Sequence, residues 1–227
     1  MHLSAPRTGG LFALAAATVV VATVPLLFVG RPDSPPPFSH DPVRTLSTLA
    51  KGQVPFWSLL HTLYALFFLL LLPTLWSLYV LLKEEAPAEA TAALATGGLA
   101  LVSEGLGRLW HATLESTLAG LLLAQSGPDG REVLLEAARH LDPFHQALHV
   151  GGYLIVVWAV LTAWTVVQRR GILPLWAGLL APLLIPALGP FPWASLPWLV
   201  PVGLLLWREE ASAPSRPMPR TLVRSRR

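Results

Sequence analysis

The sequence predicts an all-α fold, a polytopic bundle of about six transmembrane helices in a single domain. Two observations support this class. First, 53% of the 227 residues are hydrophobic and only 13% are charged, whereas soluble domains average roughly 25% charged residues. Second, several apolar runs reach the roughly 20 residues that a helix needs to cross a bilayer. A separate observation limits the chemistry: cysteine is absent, which excludes disulfides, thiolate metal sites and thiol catalysis.

The apolar runs define six predicted spans, of which the first and the last leave alternatives open. The spans cover about residues 10–30, 56–82, 88–124, 144–168, 172–189 and 195–207. The first run could instead be a cleaved signal peptide, but its length and the lack of a small-x-small site near Gly30 favour a retained helix. The last run is short and contains Pro201, so it is a tilted or incomplete crossing in the alternative interpretation.

The first loop is predicted to carry a short amphipathic helix. Asp41 and Pro42 are typical of an N-cap and a first helical position. Val43, Leu46 and Leu49 follow with helical spacing and share one face. This helix is therefore predicted to lie along the membrane surface, on the side of the first loop.

Two further segments are predicted from turn residues and aromatics. Residues 125–143 are rich in polar and turn residues and are predicted to form a loop, with a short helix over 131–140. Trp57 and Trp76 lie near the ends of the second span, where interfacial anchors are found.

The distribution of Lys and Arg predicts the orientation of the chain. Ten lie outside the spans on one side: Arg7, Lys83, Arg169, Arg170 and the six arginines of the tail, residues 208–227. Five lie on the other side: Arg31, Arg44, Lys51, Arg131 and Arg139. The positive-inside rule then places both termini in the cytoplasm, as in a multi-pass protein of the bacterial inner (cytoplasmic) membrane. The basic charge thus indicates a lipid bilayer rather than a nucleic acid as the partner.

The third span carries a row of four ionisable residues. Glu104, Arg108, His111 and Glu115 are spaced i, i+4, i+7 and i+11, so they share one helix face. That face cannot contact lipid, because ionisable groups in hydrocarbon cost several kcal/mol each. One interpretation is a structural network, in which Arg108 pairs with Glu104 or Glu115 and His111 completes the hydrogen bonds.

Histidines from three spans are predicted to converge at the outer side of the membrane. His61 begins the second span and His145 and His149 begin the fourth, so the topology places them beside His111 and Glu115. The pairs 145/149 and 111/115 have the one-turn spacing of metal or haem ligands. A zinc ion held there would activate water, and a haem held by two histidines would transfer electrons.

Three functions therefore stay open, and no catalytic residue is assigned. The first is an integral membrane protein whose polar network and His-rich, outward-facing cavity bind a small ligand, a membrane-protein partner or a second copy of the chain. The second is a membrane metalloenzyme or haem protein that uses His61, His111, Glu115, His145 and His149. The third is proton or solute conduction by histidines that titrate near neutral pH. Gly-x-Ser-x-Gly, His-Glu-x-x-His and Gly-rich phosphate motifs are absent from the sequence.

Several segments also resemble a known group of proteins. They are Thr8-Gly9-Gly10-Leu11-Phe12, Asp41-Pro42, the Gly- and Glu-containing third span, and Gln168-Arg169-Arg170-Gly171-Ile172-Leu173-Pro174-Leu175-Trp176. In these features the chain resembles the small six-helix bacterial integral membrane proteins that are grouped as a domain of unknown function. The resemblance covers most of the chain and implies the fold. It implies no activity, and the histidines are not among the features that carry it.

Overall fold

The regular elements of the structure are all helices in the part of the chain that it describes. The structure is a computed structural model that describes residues 4–29, 46–47, 49–50, 54–125, 127–148, 150–168, 174–184 and 192–208. The helices are α1 Ala5–Val29, α2 Val54–Leu82, α3 Pro87–Trp110, α4 Ser116–Ala124, α5 Pro128–Leu148, α6 Val150–Gln168, α7 Leu175–Leu179 and α8 Leu196–Arg208. A π turn, His111–Glu115, joins α3 to α4, and 3₁₀ turns occupy Ala181–Leu183 and Pro192–Ser195. The predicted all-α class is confirmed.

The long helices pack around a common apolar core. Helix α1 contacts α2 and α8, α3 contacts α2 and α6, and α7 contacts α6 and α8. Trp158 of α6 and Trp198 of α8 meet in this core with ring centroids 6.2 Å apart. The Trp198 indole also donates to the Ala177 carbonyl of α7 at 2.9 Å, so these contacts close a ring of helices.

Close backbone approach holds α1 in the bundle. The Thr74 hydroxyl of α2 donates to the Gly9 carbonyl at 2.9 Å. A Cβ atom on Gly10 would lie 2.6 Å from the carbonyl oxygen of Gly203 in α8. Small residues permit such close contacts between helices. The helix begins at Ala5, five residues before the predicted start of the first span.

Among the residues that the structure describes, two helices are long and apolar enough to cross a membrane. They are Ala5–Leu26 and Pro55–Leu82, with mean hydropathies of 2.0 and 2.2. This criterion considers only the length and the composition of a helix, so the core helix of a soluble protein can meet it as well. The second of these helices matches the predicted span 56–82 closely.

The residues of the short helix predicted over 131–140 are helical, but most of the loop predicted around them is helical too. Helix α5 begins at Pro128 and runs to Leu148, so it also includes the first five residues of the predicted fourth span. Proline suits a first helical position, and Asp129 in the first turn stabilises the helix N-terminus. Apolar residues on one face, including Ala138, pack against the bundle and offset the polar composition.

The predicted fifth span is not one continuous helix in residues 174–184. Helix α7 has five residues and is followed by the 3₁₀ turn, which contains Pro182. Proline has no backbone N–H and clashes with the preceding turn, which explains the break. Helix α8 lies close to the predicted sixth span and is short, with 13 residues. The rest of the fifth span and the tail after Arg208 lie outside the described residues.

Candidate functional site

Helix three, defined here as α3, the π turn and α4, contains an interruption that was not predicted. The π turn covers His111 to Glu115. Two hydroxyl groups donate to its carbonyls: Ser58 of α2 to the Ala112 oxygen at 2.8 Å and Ser116 to the His111 oxygen at 3.2 Å. Single π turns inside α-helices are rare and frequently lie at functional sites. The interruption therefore marks this part of helix three as the candidate site.

The four ionisable residues of helix three are buried and form two pairs. Their exposed fractions are 2% for Glu104, 4% for Arg108, 6% for His111 and 8% for Glu115. Arg108 Nη2 lies 3.5 Å from Glu104 Oε2. His111 Nδ1 lies 2.6 Å from Glu115 Oε2. When the Glu115 carboxylate is ionised it only accepts hydrogen bonds, and Nδ1 then carries the proton of this bond.

The structure brings His61 of α2 against His111. The His61 side chain is fully buried, and the two imidazole centroids are 4.5 Å apart with planes inclined by 39°. Trp57 contacts both rings, with centroid distances of 4.3 Å to His61 and 5.8 Å to His111. Trp57 is thus buried against helix three, and its prediction as an interfacial anchor is wrong.

The Arg108–Glu104 pair lies between α2 and α6. The Arg108 guanidinium lies over the Tyr64 ring of α2, 5.5 Å from its centroid. A Cβ atom on Gly151 of α6 would lie 3.1 Å from Glu104 Cγ and 2.7 Å from the Ala100 carbonyl oxygen. The pair therefore sits where three helices pack closely, which suits a structural role.

Two buried donors flank His61. The indole Nε1–H of Trp57 and the hydroxyl of Tyr64 have no hydrogen-bond acceptor in the described part of the chain. These side chains are 4% and 3% exposed, and both rings contact His61. A buried donor without an acceptor costs about 1–3 kcal/mol. Neither residue was predicted for the site, although the spacing 57, 61, 64 places all three rings on one face of α2.

An apolar cluster lies beside Trp57. It includes Leu46 and Leu49 of the predicted surface helix, with Ala119, Leu122 and Ala138. Leu46 is 2% exposed and Leu49 is fully buried. These two leucines therefore face the protein instead of a membrane surface, which corrects the prediction. The predicted cap, Asp41-Pro42, and Val43 lie outside the described residues.

The predicted His145/His149 pair is not described by the structure. The side chain of His145 and the whole of His149 lie outside the described residues. Among the residues that are described, no group of three or more His, Asp or Glu side chains is arranged to hold a metal ion. His61, His111 and Glu115 are close neighbours, and their role as metal ligands together with the fourth span stays a prediction.

The resemblance to six-helix bacterial membrane proteins is a sequence pattern, and it stays a prediction. The geometry around His61 and His111 is accordingly the basis for a functional proposal. Comparison of the chain with protein-family models, curated proteins and solved structures found no match.

Proposed function

We propose that this chain is an integral protein of the bacterial inner membrane with about six spans and both termini in the cytoplasm. Large apolar side chains on α2, α3, α6 and α8 support this proposal, because they are 39–61% exposed on the outside of the bundle. They include Leu66, Leu69, Trp76, Leu99, Leu106, Val160, Trp164, Leu204 and Trp207. Soluble monomers rarely expose large continuous apolar patches. A bilayer around the helices would cover this surface.

Cysteine labelling tests the proposed orientation, and the absence of native cysteine makes the background low. Glu84 lies in the exposed turn after α2 and Glu132 is exposed on α5. In intact spheroplasts, a membrane-impermeant maleimide is expected to label Glu132→Cys and to label Glu84→Cys only after the membrane is disrupted. Equal labelling of both variants before disruption, or the reverse pattern, would contradict the topology.

Within this bundle, the polar interior between α2 and helix three binds a small ligand that accepts hydrogen bonds. The observation that carries this proposal is the pair of buried donors, Trp57 Nε1–H and Tyr64 O–H, on either side of His61. The two residues are seven positions apart on α2, or about 10 Å along the helix axis. A ligand with an acceptor near each end, or two small acceptors, would satisfy both donors. The Glu104–Arg108 pair fixes the packing beside this site.

Tyr64→Phe tests the ligand proposal because it removes a single hydroxyl. If a ligand accepts from Tyr64, the variant retains less of a co-purifying small molecule in native mass spectrometry. Losing one hydrogen bond, about 1 kcal/mol, also lowers the Tm in nanodiscs by about 2–4 °C. If no ligand binds, replacement of a buried donor by apolar surface is neutral or stabilising.

Tyr153→Phe is the matched control for this experiment. Its ring is 78% exposed, so loss of its hydroxyl is expected to change neither the Tm nor the bound molecule. A Tyr64→Phe protein that is as stable as the parent, with no small molecule detected in either, would exclude the ligand proposal.

A metal or haem site is the second candidate function, and one contact favours it. The Glu115 carboxylate holds the Nδ1–H of His111 at 2.6 Å, the arrangement by which carboxylates orient histidine ligands of metals. In this candidate, His111 would bind zinc or haem iron through Nε2 together with His61, His145 or His149, and Glu115 would orient His111 instead of binding the metal as the sequence predicts. About one zinc, iron or haem per chain in the same purified samples, with a Soret band for haem, would favour it over the ligand proposal.

A further inference from the structure

Ser58 connects α2 to the π turn of helix three. Its hydroxyl donates to the carbonyl oxygen of Ala112 at 2.8 Å, one helical turn before His61 on the same helix. Ala112 is 5% exposed and lies inside the π turn, next to His111. This hydrogen bond joins two segments that are 54 residues apart in sequence.

A π turn changes the hydrogen-bond register of its carbonyl groups. In an α-helix each carbonyl accepts from the N–H four residues later, whereas a π turn shifts the bonding to five residues. Where the register changes, a carbonyl can lose its regular N–H partner, and a buried carbonyl then requires another donor. Ser116 supplies one hydroxyl to the His111 carbonyl from within helix three, and Ser58 supplies the other from α2.

We infer that Ser58 is a positioning residue that holds the π turn and thereby sets the His111 ring against His61. The π turn accommodates one residue more than an α turn, so its relaxation would rotate the following part of helix three by about 100°. Such a rotation changes the direction of Glu115 relative to His111 and so alters the geometry of their 2.6 Å contact, although residues at i and i+4 stay on one face of an α turn. The inference concerns the geometry of the site and is independent of which ligand the site binds.

Histidine ¹⁵N NMR of the protein in nanodiscs tests this inference. The His111 signal is assigned by its loss in His111→Gln. In Ser58→Ala, that signal is expected to move, because the geometry of the hydrogen bond to Glu115 changes, and in Ser58→Thr, which retains a hydroxyl, it is expected to return toward its position in the parent. An unchanged His111 signal in Ser58→Ala would overturn the inference.

Thr62→Ala is the matched control. The Thr62 hydroxyl also lies on α2, one turn from Ser58, but it donates to the Ser58 carbonyl of its own helix at 2.7 Å and is exposed. Its removal is expected to leave the His111 signal unchanged. A change as large as that in Ser58→Ala would show that any loss of a hydroxyl from α2 moves the signal, and would overturn the specific role of Ser58.

Disulfide trapping gives a second reporter that needs no purified protein. The chain has no cysteine, so His61→Cys/His111→Cys forms a single defined pair in membranes. Adding Ser58→Ala is expected to lower the cross-linking yield at least threefold, and adding Ser58→Thr or Thr62→Ala is expected to retain it. Equal yields in all backgrounds would overturn the inference. Neither reporter measures ligand binding, so a failure of the inference about Ser58 is distinguishable from a failure of the proposed function.

Discussion

Arg108→Met is expected to destabilise the protein by about 3–5 kcal/mol, the usual effect of breaking a buried ion pair from one side. The variant leaves the Glu104 carboxylate, 3% exposed, without the guanidinium that lies 3.5 Å away. The double variant Arg108→Met/Glu104→Gln is expected to recover most of the loss, because it removes both charges from the interior. Denaturant unfolding in micelles measures the free energy of unfolding of each variant. Together with Glu104→Gln, the two variants form a double-mutant cycle.

The exposed pair on α5 supplies the control for this cycle. Arg139 Nη1 lies 2.7 Å from Glu136 Oε2, closer than in the buried pair, but the side chains are 59% and 51% exposed. The hydrogen bond from Arg139 lowers the pKa of the Glu136 carboxyl, yet solvent screens such a pair. Arg139→Met is therefore expected to leave the unfolding midpoint nearly unchanged. Equal effects of Arg108→Met and Arg139→Met would show that the Arg108 site is hydrated and that burial does not set its energy.

The row on helix three was predictable because its spacing and the cost of ionisable groups in hydrocarbon are local properties of the sequence. The choice of partners was not. Arg108 had carboxylates available at Glu104 and Glu115, and the sequence left both open. In the structure, Arg108 pairs with Glu104. The Arg108 guanidinium lies over the Tyr64 ring, and Gly151 approaches Glu104 closely. Both neighbours belong to other helices, so no local pattern identifies them.

The π turn was missed for the same reason. Residues 111–115 have no composition that distinguishes them from α-helix, and a hydroxyl that stabilises the turn comes from Ser58, 54 residues away. The length of helix α5 was underestimated because its charged residues and Pro143 are typical of a loop when they are considered alone. Its buried Ala138 belongs to a cluster with residues of α4 and with Leu46 and Leu49, and this tertiary packing overrides the local signal.

The role of Trp57 was misjudged because interfacial and buried tryptophans have the same sequence signature at a helix end. What separates them is the face that α2 turns toward helix three. On that face, spacing alone groups Trp57 with His61 and Tyr64, and Ser58 lies beside them. The sequence pattern thus groups the aromatic residues of the site on one helix face, but it does not predict that they are buried.

Gly151→Ala is expected to destabilise the protein by about 1–3 kcal/mol, the typical cost of overpacking. A Cβ atom at this position would lie 2.7 Å from the Ala100 carbonyl oxygen and 3.1 Å from Glu104 Cγ. The first of these atoms is backbone and cannot move without shifting α3, so α6 must separate from helix three. The added methyl group is also expected to push the Glu104 side chain, whose Cγ lies 3.1 Å away, relative to Arg108, which couples the packing of α6 to the buried ion pair. Thermal unfolding in nanodiscs measures the loss.

Gly120→Ala separates this packing effect from helix propensity. Gly120 lies within α4, is exposed, and has no atom within 4 Å of an added Cβ. Alanine lowers the entropic cost of the helix there and is expected to stabilise the protein by up to about 1 kcal/mol. The two substitutions are chemically identical, so opposite signs follow only if the contact between α3 and α6 at Gly151 is as close as the structure has it. Stabilisation by both would mean that α6 packs farther from Glu104, and Glu104–Arg108 would then lack its support from α6.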